Sequence, residues 1–190
     1  MKKLILASGS PRRRELLAKA GFTFEVRTSD VDEAIGIIEA PLLVRELALM
    51  KAAAVAKTVR EDCLVLGADT VVSAGGEILG KPKDWRDARR MLHLLSGRAH
   101  QVYTGVCIVE VKTGRAVCRS ERTDVLFRRL TNREIRAYIK TKEPMDKAGA
   151  YAIQGGARRF VRGFVGHFDN VVGLPVGLVK EILETEFSEQ

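Results

Sequence analysis

Apolar and polar positions along the chain switch repeatedly between two spacings, and each switch predicts an element. Leu4 to Ala7 is a short apolar run, read as a buried strand, and it stops at Ser8-Gly9-Ser10-Pro11. A helical spacing follows at once, with Leu16, Leu17 and Ala20 on one side and Gly21 placed to end it. Phe22 to Val26 predicts a second strand, followed by a polar loop holding Asp30, Asp32 and Glu33. Between Pro41 and Val59 the residues Leu43, Leu47, Met50, Ala54 and Val55 recur at helical steps. Cys63 to Ser73 reads as a strand that turns at Gly75-Gly76 into a partner around Ile78-Leu79. Asp84 is placed to cap a helix running to Leu95, with Gly97 closing it. Two long strands, Gln101 to Val111 and Ala116 to Phe127, flank a Thr113-Gly114 turn. Thr131 and Glu134 form a capping box for a helix reaching Ile139. A glycine-rich stretch, Gly149 to Gly156, leads to a strand at Phe160 to Val165, and a last helix spans Pro175 to Phe187. Strands and helices alternate around one antiparallel block, which predicts an α/β fold with a mixed sheet. A cleft between two lobes of one continuous domain, 1–190, is the expected arrangement.

Composition narrows the class. The 190 residues fit one large domain or two small ones at ~150 residues each. With 46% hydrophobic and 29% charged residues, wholesale disorder is excluded. Lys and Arg number 32 against 24 Asp and Glu, a net +8 that asks for an anionic partner. Charge alone does not choose between nucleic acid and a phosphorylated small molecule. The cysteines, Cys63, Cys107 and Cys118, are odd in number and form no CxxC pair. They predict small buried thiols in a reducing compartment rather than a disulfide framework or a zinc site. Lys2 and Lys3 precede only Leu4-Ile5-Leu6-Ala7, short of the ~7–15 apolar residues of an export signal. The expectation is a soluble, cytoplasmic protein with no membrane partner.

Four short segments carry candidate chemistry. In Ser8-Gly9-Ser10-Pro11-Arg12-Arg13-Arg14, Ser10 suits an N-cap and Pro11 a first helical position, so free N–H groups face this turn. Three arginines in a first turn oppose the helix dipole by ~0.3–1 kcal/mol each, a conflict that a bound anion relieves. No GxxxxGK[ST] run exists, so this phosphate site is not a P-loop. In Leu64-Val65-Leu66-Gly67-Ala68-Asp69-Thr70-Val71-Val72 one carboxylate stands in an apolar strand. Its burial costs several kcal/mol unless it is paired or metal-bound, and a desolvated carboxylate has the basicity that proton abstraction needs. Read alone, Lys81 and Lys83 in Gly80-Lys81-Pro82-Lys83 fit a polyphosphate tail or a solvated loop equally well. In Ala148 to Gly156, small residues allow close approach to backbone, and Gln154 offers the donor and acceptor that a base edge requires. The three histidines lack metal-site spacing; His93 and His100 read as structural.

Taken together these segments resemble the Maf family. Ser8-Gly-Ser-Pro-Arg-Arg13, Gly67-Ala-Asp-Thr70, Gly80-Lys-Pro82, Asp146-Lys-Ala-Gly-Ala-Tyr-Ala-Ile-Gln-Gly155 and Val171-Val-Gly-Leu-Pro175 stand in its order and spacing, from about Leu4 to Leu183. The resemblance implies an elongated, inosine-triphosphatase-like fold and a nucleoside triphosphate pyrophosphatase that uses a divalent cation, Mg2+ or Mn2+. It implies Asp69 as catalytic base, and Arg12, Thr70 and Gln154 at positions linked to substrate choice. Ser8, Arg13, Lys51 and Lys81 match other substrate-binding positions, and Glu33 joins Asp69 as a metal ligand. The Ala-Tyr-Ala-Ile-Gln-Gly form is similar to the branch acting on dTTP and UTP, rather than the branch acting on 7-methyl-GTP. Arg14 and the apolar Gly36-Ile37-Ile38-Glu39 depart from the common pattern without touching a motif. The family also implies a homodimer. A rival reading, a nucleic-acid-binding module, draws on the +8 charge and on Arg12-Arg13-Arg14 and Arg128-Arg129, but aromatics at 6% and the absence of any RNP-like or helix-turn-helix pattern weigh against it; a second, a non-catalytic regulator of cell division, is implied by the resemblance alone.

Overall fold

A computed structural model describes residues 2–188 apart from Ser29 and Ala34. In chain order the strands are β1 (Lys3–Leu6), β2 (Phe24–Val26), β3 (Cys63–Ala74), β4 (Glu77–Leu79), β5 (Ala99–Glu110), β6 (Ala116–Phe127) and β7 (Val161–Val165). The helices are α1 (Pro11–Lys19), α2 (Ala40–Ala56), α3 (Trp85–Leu95), α4 (Asn132–Lys140), α5 (Phe168–Val172) and α6 (Val176–Glu186). One mixed sheet runs β2-β1-β3-β5-β6-β7, with β4 antiparallel to β3. The β3–β4 turn needs left-handed backbone at two successive positions, and Gly75 and Gly76 supply it at φ 58° and 83°. Contacts divide the chain into two compact units: Met1–Asp69, Thr104–Glu121 and Gly173–Gln190 form one, Thr70–Tyr103 and Arg122–Val172 the other.

In the first unit, β2 and β3 pair in parallel with opposite edges of β1. Right-handed crossovers that leave β1 in one direction and return across it in the other put α1 and α2 on opposite faces. The cores show this. Leu4, Leu6, Leu64, Leu66, Val106 and Ile108 pack with Leu17 of α1 and Ile182 of α6. Ile5, Val65 and Val109, one residue out of phase, pack with Ala48, Ala52 and Val55 of α2. The second unit centres on rings, with Tyr151, Phe127, Phe160 and Tyr138 in successive edge-to-face contact. Asp84 and Thr131 cap α3 and α4 as the residue pattern predicts, and Glu134 completes the capping box.

Two expectations are corrected. Cys107 on β5 and Cys118 on β6 form a disulfide, with Cα atoms 4.0 Å apart. The 11-residue spacing hid this, because only the hairpin through Thr113-Gly114 sets the two side by side; Cys63 alone remains a buried free thiol. The stretch between the strand at Phe160 to Val165 and the last helix, where the residue pattern predicts no element, contains the short helix α5. Five residues are too few to show helical periodicity. The glycine-rich stretch is built largely of 3-10 turns, at Ala148–Ala150 and Gly156–Phe160.

Candidate active site

The carboxylate of Asp69 owes its position to the strand period. Cys63, Val65 and Gly67 lie at alternate positions of β3 with Asp69, so all four face α2. Gly67 lets that helix come close: a Cβ there would lie 2.1 Å from the Ala48 carbonyl oxygen and 2.9 Å from the Ala52 nitrogen. Gly105 on β5 does the same under Val44, with 2.2 Å to its carbonyl oxygen. α2 is therefore seated on the sheet by backbone contact. Lys51, between Ala48 and Ala52, reaches Asp69 with Nζ 2.6 Å from Oδ1. The same ammonium lies 2.8 Å from Oε1 of Glu33, in the loop between β2 and α2. Asp69 is only 8% exposed, so the ion pair supplies the partner its burial requires.

Ser8 and Arg13 meet the same region from β1. Ser10 caps α1 by accepting from the Arg13 N–H, with Pro11 in the first turn and no acidic residue there. The Arg13 side chain folds back, Nε donating to the Gly173 carbonyl at 2.8 Å and Nη1 to the Ser8 hydroxyl at 3.1 Å. Burial pushes its guanidinium below the usual value, the charges of Asp69 and Glu33 act against that shift, and Arg12 adds to it. These residues follow the carboxyl end of β1, the strand whose two edges lead to β2 and β3 in opposite directions. That reversal is where open α/β sheets bind ligands.

The structure thus brings together five residues singled out in the sequence, Ser8, Arg13, Glu33, Lys51 and Asp69, with Arg12 next to Arg13 in the first turn of α1. Lys51 and Glu33 entered only through the resemblance. A lone cation in the apolar run Leu47 to Ala56 was the signal for Lys51; an exposed loop carboxylate offered none. Thr70, Lys81 and Gln154 belong to the second unit. Thr70 follows Asp69 on β3, and Lys81 lies exposed in the loop after β4. Gln154 is exposed in the glycine-rich segment, whose Gly149 N–H donates to the Gly80 carbonyl at 3.0 Å. For a divalent cation the donor set fits: two carboxylates held on one ammonium are the hard oxygen ligands that Mg2+ or Mn2+ takes beside substrate phosphates.

A family model described as Maf-like protein matches residues 3–186. A dTTP/UTP pyrophosphatase of Bacillus cytotoxicus is 53% identical over 96% of this chain and 95% of its own length. One from Bacillus cereus is 52% identical over 96% and 89%. Among solved structures, the Staphylococcus aureus Ham1 protein superposes with TM-score 0.56 at 15% identity, over 97% of this chain and 100% of its own. A HAM1 protein from Coxiella burnetii gives 0.56 at 13%, with the same coverage. At these identities the likeness speaks for the fold alone.

Proposed function

The chain belongs to the family of Maf-like proteins, and from that premise we propose that it hydrolyses dTTP and UTP to the nucleoside monophosphate and pyrophosphate. The observation that carries the reading is the buried Asp69 carboxylate, held by Lys51 beside the Arg13 and Ser8 turn. Lys51 engages Oδ1 and fixes the carboxylate plane, which leaves Oδ2 to accept a proton from the attacking water. As that proton moves, the water oxygen bonds to the α phosphorus, the anhydride bond between the α and β phosphates opens and pyrophosphate departs. Arg12, Arg13, Ser8 and the N–H groups at the start of α1 bind phosphate oxygens, by charge-assisted hydrogen bonds and the helix dipole. Lys81 takes the charge of the polyphosphate tail, Thr70 orients the substrate, and Gln154 contacts the pyrimidine edge. Asp69 and Glu33 would hold a divalent cation, whose chemistry when bound is to neutralise charge on the phosphoryl oxygens. A cytoplasmic location follows from the substrate, and no helix of the described residues is long and apolar enough to cross a membrane.

The test is a panel of dTTP, UTP, CTP, GTP and 7-methyl-GTP scored for pyrophosphate, on the wild type and on Asp69→Asn. The expected result is preference for dTTP and UTP, with turnover lost ~10²–10⁴-fold in the variant and nucleotide affinity largely kept. Near-normal turnover in a folded Asp69→Asn protein removes Asp69 from the chemistry. Preference for 7-methyl-GTP overturns the substrate assignment.

A further inference from the structure

The second unit contains a buried polar pair that the proposed chemistry does not use. His100 on β5 is wholly buried, and its Nε2 lies 2.8 Å from the hydroxyl of Tyr151. The imidazole also stands edge-on to Phe127 and Tyr151, with ring centroids 4.9 and 5.3 Å away. Packing alone does not require a histidine here. Apolar groups of the same shape at both positions fill such a space at nearly no net cost, whereas a half-made buried hydrogen bond is expensive.

What the pair holds is the start of the segment that carries Gln154. Next along the chain, the Ala152 N–H donates to the Tyr138 hydroxyl at 3.1 Å. Further on, the Gly156 N–H donates to the Glu143 carboxylate at 2.9 and 3.2 Å. Gly155 has no room for a side chain, since a Cβ would lie 1.5 Å from Oε1 of Glu143. Gln154 is exposed between these anchor points. The anchoring has a chemical use. A free carboxamide can flip and offer its donor where its acceptor was, so a mobile Gln serves the cytosine edge as well as that of uracil or thymine. A carboxamide whose backbone also shifts has no fixed distance to the base edge, so discrimination requires the segment to be held in place.

We propose that His100 is a positioning residue for base selection: through Tyr151 it fixes the backbone of the 151–156 segment so that the Gln154 side chain is presented to the base from one place. This rests on the reading of Gln154 as the base-contacting residue. The test uses the full chain and five variants: His100→Phe, Tyr151→Phe, these two combined, His100→Gln and Gln154→Ala. Hydrogen exchange at the 152–156 amides is expected to quicken about tenfold in His100→Phe and Tyr151→Phe, with α1 unchanged. The ratio of kcat/KM for dTTP over CTP is expected to fall about tenfold in both, with kcat for dTTP held within about threefold. The double variant should be no worse than either single, because both remove one bond. His100→Gln, whose amide can still meet Tyr151, should recover the ratio. Unchanged exchange in both apolar variants overturns the proposal. So does faster exchange with an intact ratio when Gln154→Ala collapses that ratio, and the reading of Gln154 then stands. An intact ratio in Gln154→Ala overturns that reading instead, and the positioning role falls with it. Should His100→Phe fail to fold, Tyr151→Phe, which deletes one hydroxyl, carries both readouts.

Discussion

Replacing Gly67 by alanine tests the link between packing and chemistry. The added methyl would sit 2.1 Å from a carbonyl oxygen and 2.9 Å from a nitrogen of α2, both backbone atoms that cannot swing aside. Helix and strand must separate until the contact is ordinary. Overpacking of this kind costs about 3 kcal/mol at the upper end of its usual range. Loss of glycine's unfolded-state freedom returns about 0.4–1 kcal/mol, leaving a net destabilisation of about 2 kcal/mol. For a chain of this length that lowers Tm by roughly 4–8 °C. A stability of about 5–15 kcal/mol survives such a loss, so the protein stays folded at 25 °C and any loss of turnover there is not unfolding. Turnover should nevertheless fall at least about tenfold, because Lys51 rides on the displaced helix and its 2.6 Å contact with Asp69 opens. The assays are calorimetry and pyrophosphate release on the same preparation. Gly177→Ala, in α6 with nothing within 4 Å, is the control and should gain about 0.4–1 kcal/mol. A Gly67→Ala protein with wild-type Tm would refute the seating of α2 on β3. A lowered Tm with full turnover would refute the dependence of Asp69 on that seating.

Three further outcomes are expected. Arg13→Ala and Lys81→Ala should each weaken triphosphate binding by about 1.5–3 kcal/mol while sparing the free nucleoside; equal losses by titration calorimetry would place them away from the phosphates. Reduction of Cys107–Cys118, which closes a short hairpin loop, should cost about 2–3 kcal/mol and lower Tm without altering the nucleotide preference; a melting curve indifferent to reductant refutes it. Burial lowers the His100 pKa to about 4, against partial support from the Arg98 backbone and Asp124. The unfolded chain therefore protonates first on acidification, and about 3 kcal/mol of stability should disappear between pH 6.5 and 4. Denaturant titrations of wild type and His100→Phe across that window should differ by this slope, and parallel curves would refute it.

Most elements are legible in the linear pattern because their signals are local. The apolar run in Cys63 to Ser73, the Gly75-Gly76 turn, and the caps at Asp84 and Thr131 each involve residues a few positions apart. The expectation of an anion site at Ser8 to Arg14 is local too, since a cap, a proline and three arginines conflict with a free helix end by themselves. Asp69 stood out because burial of a carboxylate in an apolar strand demands a partner, but its identity was not in the strand. Tertiary structure decided that the partner is Lys51, since two glycines on two strands had to let α2 reach the sheet before an ammonium 18 residues away could come within 2.6 Å. It likewise decided the Cys107–Cys118 pairing and the contact of His100 with Tyr151, 51 residues apart. The physical reason is the same throughout. Caps, turns and periodicities depend on bonds between neighbours in the chain, whereas pairing of buried polar groups depends on which surfaces the packed sheet and helices bring face to face.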